Sequence, residues 1–378
     1  MTFNIVFWQN ALSIHQAPFL KALAQHLPAS GEARVVLNVE RGIDSNRKTQ
    51  GWTEPDYGGV RINIGSERPS VYEYGTQYQH VFSGFHETGF NHNALSDAIK
   101  LARRPFIILE APRQDQLVRK PFRSLKYRFL AWRYRSADIA ILPKGSMGVD
   151  YYKRHGFGHK EMQTFAYFPQ ALCNDELGPC PSRTGTKLLF VGQLCRRKNL
   201  GSVLALLADM KGLDWSFDVI GTGPLAENYH RFVEKNGLQG KVNFVGSVSN
   251  DEAQRRMSQS DYLVLPSLYD GWGAVVNESL LSGTPALVSS MAGSSCLIQD
   301  PILGAILDLT KPDQMLNVLK SSITNGPRSP LERDRIRRWA AMSISPDIGA
   351  QYFLNLIRAH HAHKHLTSVP VPWHSSCH

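Results

Sequence analysis

The sequence predicts an α/β protein built of two doubly wound domains. Three observations lead there. Its 378 residues, 42% of them hydrophobic, exceed what a single core keeps filling. Short apolar runs alternate with helical patterns along the chain, and one polar linker interrupts the alternation. No short repeat, coiled-coil heptad or collagen period competes with that reading.

The first half opens on Phe3, Ile5 and Phe7 with Val6 and Trp8 between them, a buried strand without the basic flank of a secretion leader. Strands are predicted over 4–9, 34–39, 60–64, 80–84, 106–110, 138–143 and 162–168, and helices over 16–26, 94–102, 116–135 and 146–155. Strands joined through helices of that length need right-handed crossovers, which give a parallel sheet covered on both faces. Between 174 and 187, Gly178, Pro179, Pro181, Ser182 and Gly185 destroy either period, so the domain boundary falls there. The alternation then restarts, with strands over 187–192, 215–221, 241–245, 262–266 and 285–289. Helices follow from 199 and over 224–236, 250–259, 274–282 and 312–324. Ser345 as N-cap and Pro346 at the first turn begin a helix over 345–361, read as returning to the first domain. The expected division is therefore 1–173, 187–344, the helix 345–361, and a His- and Pro-bearing tail over 362–378 read as disordered.

Five cysteines (Cys173, Cys180, Cys195, Cys296, Cys377) are odd in number and form no C-x-x-C pair, so reduced thiols fit better than a disulfide or zinc framework. No uncharged apolar run is long enough to span a bilayer, and a cytoplasmic protein is expected. The formal charge of +10 asks for an anionic partner. From Arg113 to Arg135, eight cations (Arg113, Arg119, Lys120, Arg123, Lys126, Arg128, Arg133, Arg135) stand against Asp115 alone, interleaved with Leu117, Phe122, Leu125, Tyr127, Phe129, Leu130 and Trp132. A basic amphipathic helix of this kind can lie on an anionic membrane surface, which would put the chain peripherally on the inner membrane face. A solvated helix face is the other reading. The cations fall in no recognised nucleic-acid motif, so no specific nucleic-acid partner is expected.

In open parallel sheets, ligands bind outside the carboxyl ends of the strands. Three loops of the second half carry signals at such ends. In Val191-Gly192-Gln193-Leu194-Cys195-Arg196-Arg197-Lys198, a turn at Gly192 precedes three cations that suit a diphosphate, with Arg196 and Arg197 offering forked donors and Lys198 a point charge. Gly221-Thr222-Gly223-Pro224 lets backbone approach backbone or ligand, with Pro224 read as opening a helix; the spacing completes no dinucleotide fingerprint. Asp270-Gly271-Trp272-Gly273 leads into a helix whose first amides, after Gly273 and near Ala274, Val275 and Val276, make an anion site. Glu278, one turn further in, is placed to accept hydrogen bonds from ribose hydroxyls, and Asp270 from those of a donor sugar.

In their order these elements resemble the family 4 (group 1) retaining glycosyltransferases of the GT-B fold, over Lys187 to Leu309. Gly192, Leu194 and Lys198 match the first signature, with Gln193 where arginine is expected and Asn199 where glycine is. Gly221, Gly223 and Pro224 match the second. Asp270 and Glu278 stand at the spacing of the family's paired glutamates, the first shortened to aspartate, and Ser282-Gly283-Thr284-Pro285 resembles the closing element. The resemblance implies two Rossmann-like domains facing across a cleft, a nucleotide-sugar on the second, a glycan or lipid-linked acceptor on the first, and transfer with retention. Cell-surface polysaccharide or lipopolysaccharide synthesis is the implied setting. Asp270, Glu278, Glu110 and His86 are the residues expected at the reacting sugar, the last two on strand-end loops of the first domain. No D-x-D occurs, so neither a metal nor any other cofactor is expected, the chain's own cations and a helix terminus neutralising the leaving diphosphate. Two other readings compete. A sugar-nucleotide epimerase of the same architecture would need no acceptor, and Gln193 and Asp270 leave room for a non-catalytic nucleotide-sugar binding protein.

Overall fold

The computed structural model describes residues 3–27, 33–43, 54–65, 68–85, 89–101, 104–113, 120–172, 176 and 184–374. It divides into two compact units, Met1–Pro169 with Ile344–Pro372, and Gln170–Ser343 with Trp373–His378.

Unit 1 runs β1 (Asn4–Ala11), α1 (Ala17–His26), β2 (Val35–Arg41), β3 (Arg61–Ile64), α2 (Val71–Tyr74), β4 (Tyr78–Ser83), α3 (Phe90–Lys100), β5 (Phe106–Leu109), α4 (Lys120–Arg133), β6 (Ala140–Pro143), α5 (Gly145–Tyr152) and β7 (Glu161–Met162). Its seven strands are parallel, in the order β3-β2-β1-β4-β5-β6-β7. The order reverses between β1 and β4, which opens a crevice at the carboxyl edge there. Because helices cover both faces, β1 is apolar throughout its middle: Ile5, Val6, Phe7 and Trp8 are all buried. Trp8 stacks on Phe82 and donates Nε1 to His80 Nδ1 at 3.2 Å. On the opposite face Phe7 meets Phe19 of α1 and Phe353 of α12 (Pro346–His361). Ser345 Oγ caps α12 by accepting from Ile348 N, and Tyr352 Oη donates to Thr164 O at 2.7 Å.

Two expectations are corrected, one in this unit and one in the C-terminal tail. The strand foreseen over 162–168 shrinks to Glu161–Met162, because Phe165 and Phe168 turn into the aromatic cluster of Phe19, Tyr352 and Phe353. The tail read as disordered is structured as far as His374. Glu161 Oε1 accepts from Leu366 N, Gln163 Nε2 donates to Val369 O at 2.8 Å, and Leu366 and Trp373 are fully buried. Three apolar anchors (Leu366, Val369, Trp373) outweigh the polar composition that favoured disorder.

Unit 2 runs β8 (Thr186–Val191), α6 (Leu200–Ala208), β9 (Trp215–Ile220), α7 (Ala226–Lys235), β10 (Val242–Gly246), α8 (Asn250–Ser258), β11 (Tyr262–Leu265), α9 (Val275–Leu281), β12 (Ala286–Ser289), β13 (Gly304–Leu307), α10 (Pro312–Thr324) and α11 (Pro330–Ile344). Its six strands are again parallel, ordered β10-β9-β8-β11-β12-β13. Leu188, Phe190, Phe217, Val219, Val264 and Leu287 from four strands fill one side of the core against α6 and α10. β13 and α11 go beyond the elements expected from the sequence. α11 nevertheless carries a helical signature, with Ile336, Trp339, Ala340 and Ile344 buried on one face and a capping box between Ser329 and Glu332. Arg333 of α11 is buried and reaches Asp261 Oδ1 at 2.7 Å; Asp261 also accepts the amides of Lys187 and Arg328.

Candidate functional site

The carboxyl edge of the second sheet gathers the three loops. Gly192 N donates to Ile220 O at 3.0 Å, Leu194 N to Thr222 O at 2.8 Å and Leu225 N to Leu194 O at 2.9 Å, so the loops after β8 and β9 run side by side. A Cβ on Gly221 would lie 2.0 Å from Gly192 O, and one on Gly223 would lie 2.5 Å from Leu194 O. These glycines therefore permit backbone against backbone. Those hydrogen bonds also hold Pro224 in an exposed turn, and α7 begins two residues later than read, at Ala226.

Beyond Gly192 the chain makes a short 3-10 turn over Arg196–Lys198, closed by Asn199 at φ 55. Asparagine tolerates this left-handed conformation, which explains why it can stand where glycine was expected. Arg196 points to solvent. Arg197 turns inward, donating Nη1 to Tyr269 O at 3.0 Å and lying 3.4 Å from Asp270 Oδ2; its carbonyl accepts from Leu268 N at 2.8 Å. Lys198 Nζ sits 2.5 Å from the same Asp270 oxygen, with both side chains more than four-fifths buried. The motifs read separately as cationic and acidic thus form one charge cluster. Asp270 is fixed by its own backbone, Asp270 N donating to Met291 O and Asp270 O accepting from Gly293 N.

Gly273, at φ +90, turns the chain into α9, and the buried Trp272 locks the turn by donating Nε1 to Asn277 Oδ1 at 2.8 Å. The amide of Val276 is taken by Gly273 O at 3.0 Å. Those of Ala274 and Val275 have no carbonyl partner among the described residues. Glu278 is 6% exposed, and burial pushes its carboxyl up to about 7.

In unit 1, Glu110 follows β5, and its Oε1 accepts from Tyr167 Oη at 2.9 Å. Lys144, directly after β6, holds Nζ 3.7 Å from that oxygen and 3.1 Å from the centre of the Tyr167 ring. Burial lowers the Lys144 ammonium to about 8, partly offset by Glu110. Sequence reading singled out neither Lys144 nor Tyr167; a lysine at the carboxyl end of a buried strand was the available signal. His86 lies outside the described residues. Among the described residues no group of three or more His, Cys, Asp or Glu side chains is placed to hold a metal ion, and no helix is long and apolar enough to cross a membrane.

Residues 182–339, which contain the charge cluster and Glu278, match the family model described as glycosyl transferases group 1. Over 115 residues the chain is 30% identical to a 2-deoxystreptamine glucosyltransferase of Streptomyces kanamyceticus, a match covering 30% of each chain. It is 28% identical over 137 residues to an uncharacterized glycosyltransferase of Methanocaldococcus jannaschii, covering 36% of this chain and 38% of that one. The chain thus spans about a third of the length of the curated relatives it matches. In fold it resembles the Anabaena protein HepE in complex with UDP (TM-score 0.69, 12% identity, 94% of this chain and 100% of that one). It also resembles the lipopolysaccharide outer core galactosyltransferase WaaB (TM-score 0.60, 14% identity, 95% and 100%). Two parallel-sheet Rossmann-like units with such neighbours make this a GT-B fold.

Proposed function

We propose that this chain is a group 1 glycosyltransferase that moves a sugar from a nucleotide-diphosphate sugar to a glycan or lipid-linked acceptor with retention of anomeric configuration. The observation that carries the reading is the Lys198–Asp270–Arg197 cluster beside the unpartnered amides of Ala274 and Val275, inside the segment that matches the family model. Cleaving the bond between the sugar and the diphosphate leaves negative charge on the phosphate oxygens, and stabilising that charge is the main demand on the protein. Lys198 and Arg197 meet it when a donor draws them from Asp270, whose carboxylate otherwise keeps two buried cations ordered and solvated. Asp270 then turns to the sugar hydroxyls, and Glu278 accepts from the ribose. Glu110 in unit 1 serves the acceptor side. With the charge met by side chains and amides, turnover needs no metal, and a chelator should leave it unchanged.

The lipopolysaccharide transferase of similar fold supports surface-glycan synthesis as the setting. The exposed apolar and basic side chains of α4 support work at an anionic membrane surface. The test is a thermal-shift panel of UDP, GDP, ADP and their sugar conjugates on the native chain and on Glu278→Ala. Stabilisation by one nucleotide, lost in the variant, is expected, and transfer assays with that donor then read the product's anomeric configuration by NMR. A panel in which no nucleotide raises the melting temperature at millimolar concentration would sink the reading. Donor breakdown to free nucleotide and an altered sugar, without an acceptor, would favour the epimerase reading instead.

A further inference from the structure

The crevice of unit 1 holds a cavity of about 310 Å³ at the carboxyl ends of β1, β4, β5 and β6, large enough for one substituted sugar ring. Its polar lining offers an excess of donors. Gln9 is 5% exposed, and its Nε2 has no hydrogen-bond partner among the described residues. Asn10 has its Oδ1 occupied by Asn91 Nδ2 at 2.9 Å, so what it retains is its amide donor. Lys144 and Arg41 add two cations, and among the described residues no Asp or Glu lines the cavity. Glu110, just outside, forms a long ion pair with Lys144 Nζ at 3.7 Å, so this 7% exposed ammonium has one carboxylate partner, at more than direct hydrogen-bond length.

A buried amide donor without an acceptor, beside a buried cation held only by a long ion pair, costs free energy that a ligand oxygen would recover. We propose that this cavity binds an acidic sugar unit of the acceptor, with Lys144 and Gln9 receiving its carboxylate or phosphate oxygens and Arg41 completing the cationic rim. The Tyr167 ring, under the Lys144 ammonium, holds that side chain in place by a cation–π contact. Burial lowers the affinity of Lys144 for its proton, and the Glu110 carboxylate only partly offsets it. The inference rests on the transferase reading only in calling the bound sugar an acceptor; the binding itself does not depend on it.

Ligand-observed NMR titrations of the full chain at neutral pH, with glucuronate, glucose 6-phosphate and glucose, decide it. At least one acid should bind about tenfold more tightly than glucose, and preference between the two acids tells carboxylate from phosphate. Lys144→Met should bring the preferred acid to the level of glucose while stabilisation by nucleotide persists. Arg41→Gln, at an exposed position, should reduce the preference about threefold. Equal binding of all three sugars by the native chain overturns the proposal. So does an unchanged preference in Lys144→Met, or in Arg41→Gln should Lys144→Met fail to melt cooperatively. Nucleotide stabilisation reads unit 2 alone. Its absence alongside an intact acid preference would remove the transferase reading and leave the cavity's ligand standing.

Discussion

At the scale of single residues, Glu278 and Lys198 carry opposite demands. Glu278 is held by burial near a pKa of about 7, against 4.5 for a free glutamate. Between those values the folded chain keeps a proton that the unfolded chain releases, so stability falls as pH rises from about 4.5 to about 7. The stabilising contribution is whole below that window and gone above it, with a span of about 3 kcal/mol. Urea melts across the window should show the slope in the native chain and lose it in Glu278→Gln. On the proposed reading a nucleotide's ribose hydroxyls need the ionised carboxylate. Affinity for UDP-glucose, whose diphosphate does not titrate in this range, should therefore rise through pH 7 by calorimetry and stay flat in the glutamine variant. On the proposed reading Lys198 acts through charge on the leaving group, so Lys198→Ala should lower kcat about a hundredfold with a smaller change in KM. Comparable losses in both would mean that it binds the ground state equally.

At the scale of elements, the candidate site rests on loops whose geometry is set by backbone. Gly221→Ala would drive a methyl into Gly192 O, 2.0 Å away, and must push apart the loops after β8 and β9. A loss of about 2 kcal/mol or more in urea denaturation is expected, with nucleotide stabilisation abolished. α11 is tied to the sheet differently, through the buried Arg333–Asp261 pair at 2.7 Å. Arg333→Ala leaves Asp261 charged and buried, so it should cost about 3–5 kcal/mol, and Arg333→Met less because packing volume is kept. Neither link follows from sequence pattern. Strand and helix periods made the two parallel sheets legible, along with most of their crossovers, because buried parallel strands read as apolar runs and covering helices as amphipathic ones. β13 stayed hidden because Gly304-Ala305-Ile306-Leu307 is too short and small to show a period. The motif spacing located all three loops of the second unit, yet it left Lys198 and Asp270 in separate motifs. Their contact depends on β8 and β11 being neighbours in the sheet, a long-range pairing that no local pattern records. Lys144 escaped for a like reason, since a cation after a strand becomes notable only once its burial against Tyr167 is seen.

At the scale of the whole molecule, much of the formal charge of +10 falls between Arg113 and Arg135, where eight cations stand against Asp115, and so does much of the apolar exposure. Four of the eight large hydrophobic side chains exposed among the described residues, Phe122, Leu125, Phe129 and Trp132, lie on α4. Their spacing of three, four and three residues places them along one stripe, with Arg123, Lys126, Arg128 and Arg133 on the same helix. A merely solvated face would have no use for a phenylalanine at 72% and a tryptophan at 60% exposure. Inserting the stripe into a bilayer interface would bury each ring for about 1.5–3 kcal/mol at most, while each cation near anionic headgroups adds about 1 kcal/mol. Both terms are needed, because the second is screened by salt and the first is not. Sedimentation with vesicles at physiological salt should therefore pull down the native chain when anionic lipid is present and not with phosphatidylcholine alone. Exchanging Phe129 and Trp132 together for serine should weaken binding about tenfold or more, and raising the salt should weaken what remains. A chain left in the supernatant by anionic vesicles would confine α4 to the role of a solvated helix. Binding unchanged in the serine variant would assign the attraction to the positive charge alone instead of the stripe.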